Sequence, residues 1–292
     1  MANIKELKKR IKSTKSTLKI TTAMKLVSAA KMARAQQAIT NSRPYANELE
    51  HTIKTVSALV QNYDHKYLQE NSSKTDVLLV ISANKGLCAG FNSQLFKKTW
   101  AFMNGYPTDG ERKLETVYIG KKVRELVERQ TEVGKMYDFE KSEPTFLEIQ
   151  TIAKELAARF ESGEVGKVFV AYNIFHSAIA FTPTVKQLLP LALDESEKEK
   201  LKEENPFDFK YDPSAKDILD TLIPEAYVTS VYTAQLDALA AEHGSRMSAM
   251  DSASNNCKDA IRQLTLDMNK ARQAAITTEL IEVVSGAESL NG

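Results

Sequence analysis

Lys85, Cys88 and the glycines beside them are the residues best placed in this sequence to do chemistry. Lys85-Gly-Leu-Cys-Ala-Gly-Phe-Asn92 follows an apolar run and precedes a helical pattern, which is where phosphate-cradling loops occur. The stretch lacks the Gly-Lys-Ser/Thr of a P-loop and does not spell GxGxxG. A glycine-mediated turn from strand to helix explains it with fewer assumptions. A cysteine reacts as its thiolate and needs a base or a positive field to form one. No such base is identifiable beside Cys88, and a small buried residue accounts for it equally well. The four histidines, His51, His65, His176 and His243, show neither HExxH nor any other ligand spacing. Two cysteines, Cys88 and Cys257, imply no disulfide framework. The residues therefore point to a chain with no catalytic constellation, no metal and no cofactor.

The elements that carry these residues are marked by helix breakers. All eight prolines lie between Pro44 and Pro224, and the first glycine is Gly86. Uninterrupted helices at about 1.5 Å per residue could reach roughly 65 Å and 100 Å at the two ends. The N-terminal arm repeats every seven residues: Ile4, Ile11, Leu18, Lys25, Met32 and Ile39, with Leu7, Thr14, Thr21, Ser28, Ala35 and Ser42 as the companion set. One set is large and apolar except at Lys25, and the other is mostly small, so a coiled-coil seam with a close helix approach is expected. An amphipathic helix lying on a globular core would explain fewer of the forty positions.

The C-terminal arm shows the same 3–4 spacing: Met247, Met250, Ser254, Cys257, Ile261, Leu264, Met268, Ala271, Ala275 and Thr278. Upstream, Leu236, Leu239 and His243 lead into Met247 with a stutter that should unwind a left-handed supercoil locally. Gly244 falls inside it, at a cost of about 1 kcal/mol relative to alanine. The two arms can bury each other's stripes as an antiparallel pair. Beyond Thr278, Ile276, Leu280, Ile281, Val283, Val284, Ala287 and Leu290 make an apolar tip wider than a two-helix seam, which calls for a partner.

Between the arms the pattern changes. Val77 to Ser82 suits a buried strand, Phe91–Phe102 a helix, Thr116–Ile119 a strand, Lys121–Arg129 and Pro144–Ser162 helices, and Lys167–Phe175 with Ala178–Leu188 a strand hairpin. This alternation argues an α/β fold with a mainly parallel, Rossmann-like sheet. The expected divisions are a coiled-coil helix over 1–60, the α/β domain over 75–190, an acidic surface loop over 191–213 and a second coiled-coil helix over 214–292. Residues 1–40 hold ten Lys or Arg against Glu6 alone, while the whole chain is only +1. Such an arm suits an acidic partner. Nucleic acid is an alternative, but the arm has no aromatic before Tyr45 on which a base could stack. No apolar run approaches the ~18 residues of a membrane span, and no signal-peptide core follows the basic start, which argues against secretion.

Several of these stretches carry a family resemblance. Ile276-Thr-Thr-Glu-Leu-Ile-Glu-Val-Val-Ser-Gly-Ala-Glu-Ser289 resembles the C-terminal signature of the γ subunits of F-type ATP synthases, of bacterial type. Ile20-Thr-Thr-Ala-Met-Lys-Leu-Val-Ser-Ala-Ala-Lys-Met32, Gly86-Leu-Cys-Ala-Gly-Phe-Asn92 and Ser245-Arg-Met-Ser-Ala-Met250 are similar to that family's other motifs, in the same order. The resemblance implies a central rotor shaft. Its coiled coil would enter a hexamer of α and β subunits, and its α/β domain would sit with ε on the membrane c-ring, peripheral to the cytoplasmic face of the inner membrane. Turned by proton-driven ring rotation, the shaft would force the catalytic β sites through different nucleotide affinities and make no bond itself.

Residue by residue, the resemblance marks Met24 and Lys25 as contacts between shaft and β, and Arg246, Gln273, Thr277, Glu279 and Glu282 as coupling positions. It places the c-ring foot at Phe209, Tyr211 and Asp212. Chloroplast members of the family carry an inserted paired-cysteine loop as a redox switch, which Cys88 and Cys257 do not reproduce. Two rival classes stay open on the sequence: an enzyme binding nucleotide at Lys85–Asn92, and a nucleic-acid or scaffolding adaptor using the basic arm.

Overall fold

Val77 to Ile81 is apolar at every position, so the strand that contains it must be covered on both faces. The computed structural model describes residues 4–60, 65–107, 112–139, 143–191, 199–201, 203 and 210–291. In it these five residues are at most 1% exposed. They belong to β1 (Thr75–Ile81), the centre of a sheet whose other strands are β2 (Lys113–Ile119), β3 (Met136–Tyr137), β4 (Val168–Ser177) and β5 (Ala180–Leu189). The order is β3-β2-β1-β4-β5. The first four strands are parallel, and β5 folds back antiparallel on β4. The helices are α1 (Ile4–Leu59), α2 (Phe91–Gly105), α3 (Lys121–Val127), α4 (Phe146–Glu161) and α5 (Ala215–Asn291).

The chain forms two compact units: Ala29–Ser245, and Met1–Ser28 together with Arg246–Gly292. In the first, the alternate residues of β1 go to opposite faces. Val77, Leu79 and Ile81 join α4 through Ile149, Ile152, Leu156 and Phe160, and also Leu49, Ile53 and Val56 of α1 and Leu219, Ile223 and Tyr227 of α5. Leu78 and Val80 join Leu95 of α2 and Val123 and Val127 of α3 on the other face. The spacing of Leu49, Ile53 and Val56 is i, i+4, i+7, one helical stripe. Burial of that stripe carries α1 through Pro44, whose missing N–H would otherwise cost about 3 kcal/mol. Helix α5 likewise runs through Pro224.

The capping box at Thr145 and Glu148 sets the start of α4. Gly244, which the sequence makes only a cost, has a packing reason. A Cβ there would lie 3.0 Å from the carbonyl oxygen of Ala178, in the β4–β5 turn.

In the second unit, burial follows the seam. Leu7, Thr21 and Ser28 are buried, and Ile4, Ile11, Thr14, Leu18 and Lys25 are half-buried. Facing them, Met250 and Ser254 are buried, and Cys257, Ile261, Leu264, Met268, Ala271 and Ala275 are half-buried. The Ser254 hydroxyl donates to Thr21 Oγ1 at 2.8 Å, and Lys25 Nζ meets Asp251 Oδ1 at 2.6 Å. A step up one helix is thus a step down the other, which makes the pair antiparallel. Thr278, assigned to the seam by its spacing, is exposed.

Candidate functional site

A doubly wound sheet normally receives a ligand where the strand order reverses, beyond the carboxyl ends of its strands. Here that point lies between β1 and β4, and the Lys85–Asn92 loop leaves β1 beside it. The crevice is filled by the chain itself. Ala35 and Ile39 of α1 and Leu236, Ala240 and Ala241 of α5 pack there with Ala83, Cys88, Phe91 and Phe175. The loop's polar groups are spent internally: Asn92 donates from Nδ2 to Cys88 Sγ at 3.1 Å and accepts at Oδ1 from the Ala83 N–H at 3.2 Å. Leu87 and Ala89, on either side of Cys88, hold positive φ of 62° and 46°. The thiol is 2% exposed and sits in an apolar cluster. Among the described residues no group of three His, Cys, Asp or Glu could hold a metal. Cys88 thus acts as a packing residue.

Both cysteines are free, Cys88 buried and Cys257 half-buried in the seam. Reduction therefore has no disulfide to break. The activity of any complex containing this chain is expected to be the same with and without a dithiol reductant. Activation of several-fold by the reductant would contradict that.

The surface open to a partner lies on the unit that carries the coiled coil. From Ile276 onward every described side chain is exposed, including Ile276 at 49%, Leu280 at 60%, Ile281 at 60%, Val283 at 69% and Val284 at 61%. These apolar residues point in several directions around one helix, with no second helix over them among the described residues. Burying apolar area is worth about 25 cal/mol per Å², so the tip is a strong candidate for burial in another chain. A second patch lies outside the heptad registers. Ile20, Leu26 and Val27 of α1 are 57%, 65% and 57% exposed. Ile20, half-buried Met24 and Val27 are spaced i, i+4, i+7, so they share a face beside the seam. The signal was present in the sequence as apolar residues outside the heptad register.

The residues marked by the resemblance fall on both units. Met24 and Lys25 are half-buried, and Lys25 finds its carboxylate within the chain, at Asp251. Both side chains of that pair are nearly half exposed, so the contact sets register more than it adds stability. Arg246 is 7% exposed. Gln273, Thr277, Glu279 and Glu282 are all exposed, and they share the last turns with the apolar tip. In the other unit, Tyr211 is half-buried and packs against the main core, whereas Asp212 is exposed. Phe209 lies outside the described residues, as does most of the acidic loop over 191–213.

Two charge clusters fix the inner halves of the long helices in the sheet-containing unit. The Asp237 carboxylate, 4% exposed, accepts from Arg43 at 3.0 Å and from the Phe175 N–H at 3.4 Å. Burial nevertheless pushes its pKa up, outweighing Arg43 and the N–H. Glu143, just before α4, accepts from Lys31 of α1 and meets the ring of His243 of α5 at 3.1 Å. Burial works to raise its pKa, but Lys31 and His243 together hold it below the ordinary 4.5. A carboxyl with a lowered folded-state pKa adds stability above its unfolded value and loses it as pH falls through the folded one. Glu143→Gln should therefore lower the melting temperature at pH 7, with the gap to the wild type closing as pH falls below 4.5. A gap unchanged down to pH 3 would contradict the ion pairing.

Comparison with known proteins agrees with this geometry. A family model described as ATP synthase matches residues 3–290. The chain is 40% identical over 294 residues to the ATP synthase gamma chain of Anaeromyxobacter sp. (strain Fw109-5), covering 99% of this chain and 100% of that one. It is 37% identical over 292 residues to the ATP synthase gamma chain of Geobacter metallireducens, covering 100% of both. Among solved structures it is similar in fold to a chain of the mitochondrial ATP synthase rotor of Euglena gracilis, in rotational state 1. The TM-score is 0.61 at 18% identity, covering 94% of this chain and 98% of that one.

Proposed function

Because this chain belongs to the ATP synthase γ-chain family, we propose that it is the rotating central shaft of an F-type ATP synthase and couples proton-driven rotation to catalysis elsewhere in the complex. Full-length identity of 36% to 40% with curated γ chains carries the reading. The physical features fit that task. Two long helices locked by an antiparallel seam resist twisting, and the crevice that could have held a nucleotide is closed by those same helices. The exposed apolar tip and the face bearing Ile20, Met24 and Val27 are the surfaces for the α and β subunits. The basic start of α1 faces acidic loops there. The sheet-containing unit faces ε and the c-ring, and no helix among the described residues is long and apolar enough to cross a membrane. We place the attachment as peripheral, on the cytoplasmic face of the inner membrane, as part of this proposal. The chain itself performs no bond chemistry. Nucleic acid is not needed to explain the basic arm.

The test is reconstitution. Mixed with α and β subunits, the chain should yield a complex that hydrolyses ATP. Failure to assemble, with salt-dependent nucleic-acid binding through residues 1–40 instead, would favour the adaptor.

The foot separates into two roles. Asp212, exposed, is a contact to polar c-ring loops, whereas Tyr211 supports its own unit. Asp212→Ala should reduce the ATPase activity retained on washed membranes and leave melting unchanged. Tyr211→Ala should lower the melting temperature by roughly 3 °C or more. Full membrane retention in Asp212→Ala would remove this residue from the foot.

A further inference from the structure

Helices α1 and α5 cover the outer part of the sheet unevenly. Between residues 46–54 of α1, residues 226–234 of α5 and the strands β4 and β5 they leave an open cavity of about 520 Å³. Small-molecule sites commonly run from about 300 to 1,000 Å³. Its floor is apolar, lined by Ile53, Leu68, Val170, Leu188 and Leu191.

The walls add hydroxyls that the chain does not use. Thr221, Thr265, Thr277 and Thr278 of α5 each donate to the carbonyl four residues back. Thr229 and Ser230, on the cavity wall, make no such bond, and neither hydroxyl is enclosed. The Tyr172 hydroxyl on the opposite wall is likewise open and has no hydrogen-bond partner among the described residues. Burial, with a smaller push from Asp237, moves its pKa up to about 12, so it stays protonated and able to donate. The charge of Asp237 is itself offset by Arg43.

The rim is cationic. Lys186 of β5 stands opposite Val170 of β4 in the antiparallel ladder, so its side chain leaves the sheet on the cavity face. It is exposed and makes no ion pair among the described residues. Lys54, half-buried on the α1 wall, pairs with exposed Glu50 at 3.2 Å. The lining thus carries two ammonium groups against one carboxylate.

We propose that this cavity binds a small amphipathic carboxylate of the medium-chain fatty-acid type. Its hydrocarbon covers the apolar floor, and its carboxylate accepts from Lys186 and the wall hydroxyls. A hydrogen bond between an ammonium and a carboxylate is roughly twice as strong as a neutral one. A nucleotide fits less well, since Tyr172 is the one aromatic ring in the lining and no glycine turn reaches it. Water alone would leave the floor wet. An occupant would touch α1, α5 and both outer strands at once, tying the long helices to the sheet.

The experiment is calorimetric titration of the full-length chain with sodium decanoate, kept below its micelle-forming concentration. One equivalent should bind saturably and raise the melting temperature, as any ligand of the folded state does. Decyltrimethylammonium, with the same tail and the opposite charge, should bind at least tenfold more weakly. Lys186→Glu, a change at an exposed position, should weaken decanoate at least tenfold without weakening the cation. Ser230→Phe, which fills the cavity, should abolish binding of both. The variant with Ile276, Leu280 and Val284 all changed to aspartate should bind decanoate as the wild type does. No saturable binding, equal binding of the two head groups, or full binding in Ser230→Phe overturns the proposal. Loss of binding in the triple aspartate variant would place decanoate on the apolar tip and overturn it as well.

Discussion

Replacing Ile276, Leu280 and Val284 together by aspartate lowers coupled ATP synthesis at least tenfold and leaves the melting temperature of the isolated chain where it was. The residues are spaced i, i+4, i+8 and are about half exposed or more, so the folded chain loses no packing when they change. The loss falls on whatever covers them. Three new charges in an apolar sleeve must be desolvated without partners, at several kcal/mol in total, and 1.4 kcal/mol is already tenfold in an equilibrium. Synthesis by proton-driven vesicles carrying the variant, measured beside its melting curve, checks both halves. A lowered melting temperature with normal synthesis would mean that the tip supports the chain and not its partner.

Gly120→Ala yields little or no folded chain. Gly120 links β2 to α3 with φ at +87°, and a Cβ there would lie 2.0 Å from the carbonyl oxygen of Ser82. Neither side can yield. The Ser82 N–H donates to the Ile119 carbonyl at 2.7 Å, and its hydroxyl donates to the Gly120 carbonyl at 3.1 Å, tying the ends of the two central strands together. The expected cost is about 4 kcal/mol or more, a large part of a domain's stability. Gly163 is the control. Its φ is +77°, but a Cβ there would meet nothing within 4 Å. Gly163→Ala should cost only the left-handed backbone penalty of roughly 1–2 kcal/mol and remain soluble. Soluble yield and unfolding midpoint distinguish the two. Equal behaviour would show that the backbone angle matters and the close approach does not.

The seam is legible because heptad spacing is a local signal, and the residues that the spacing selects, from Leu7 to Ser28 and from Met250 to Ala275, are buried or half-buried. Strand β1 announced itself by being apolar throughout. Other features depend on contacts far apart in sequence. Strand β3 is two residues long, too short for any periodicity. Asp251, the partner of Lys25, lies one position off the seam and is 226 residues away, so only the folded register reveals it. The closing of the strand-reversal crevice by α1 and α5 leaves no local mark, and it turns the most chemistry-like loop of the sequence into a packing element. Ile20, Leu26 and Val27 were visible as letters, but an apolar residue outside a register carries no direction until burial shows that it faces out. Asp76 was one acid among 38 Asp and Glu in the sequence. Its burial beside Tyr106 and Arg112 appears only in three dimensions.

The central claim is that this chain turns. The direct measurement fixes an assembled complex to a surface through its catalytic subunits and attaches a gold rod to the chain through Lys97→Cys, an exposed position on α2, in a Cys257→Ser background. On addition of ATP the rod is expected to rotate in one direction, in steps, at a rate that follows hydrolysis. Steady hydrolysis by complexes whose rods stay still, with the rod attachment verified, would contradict the account.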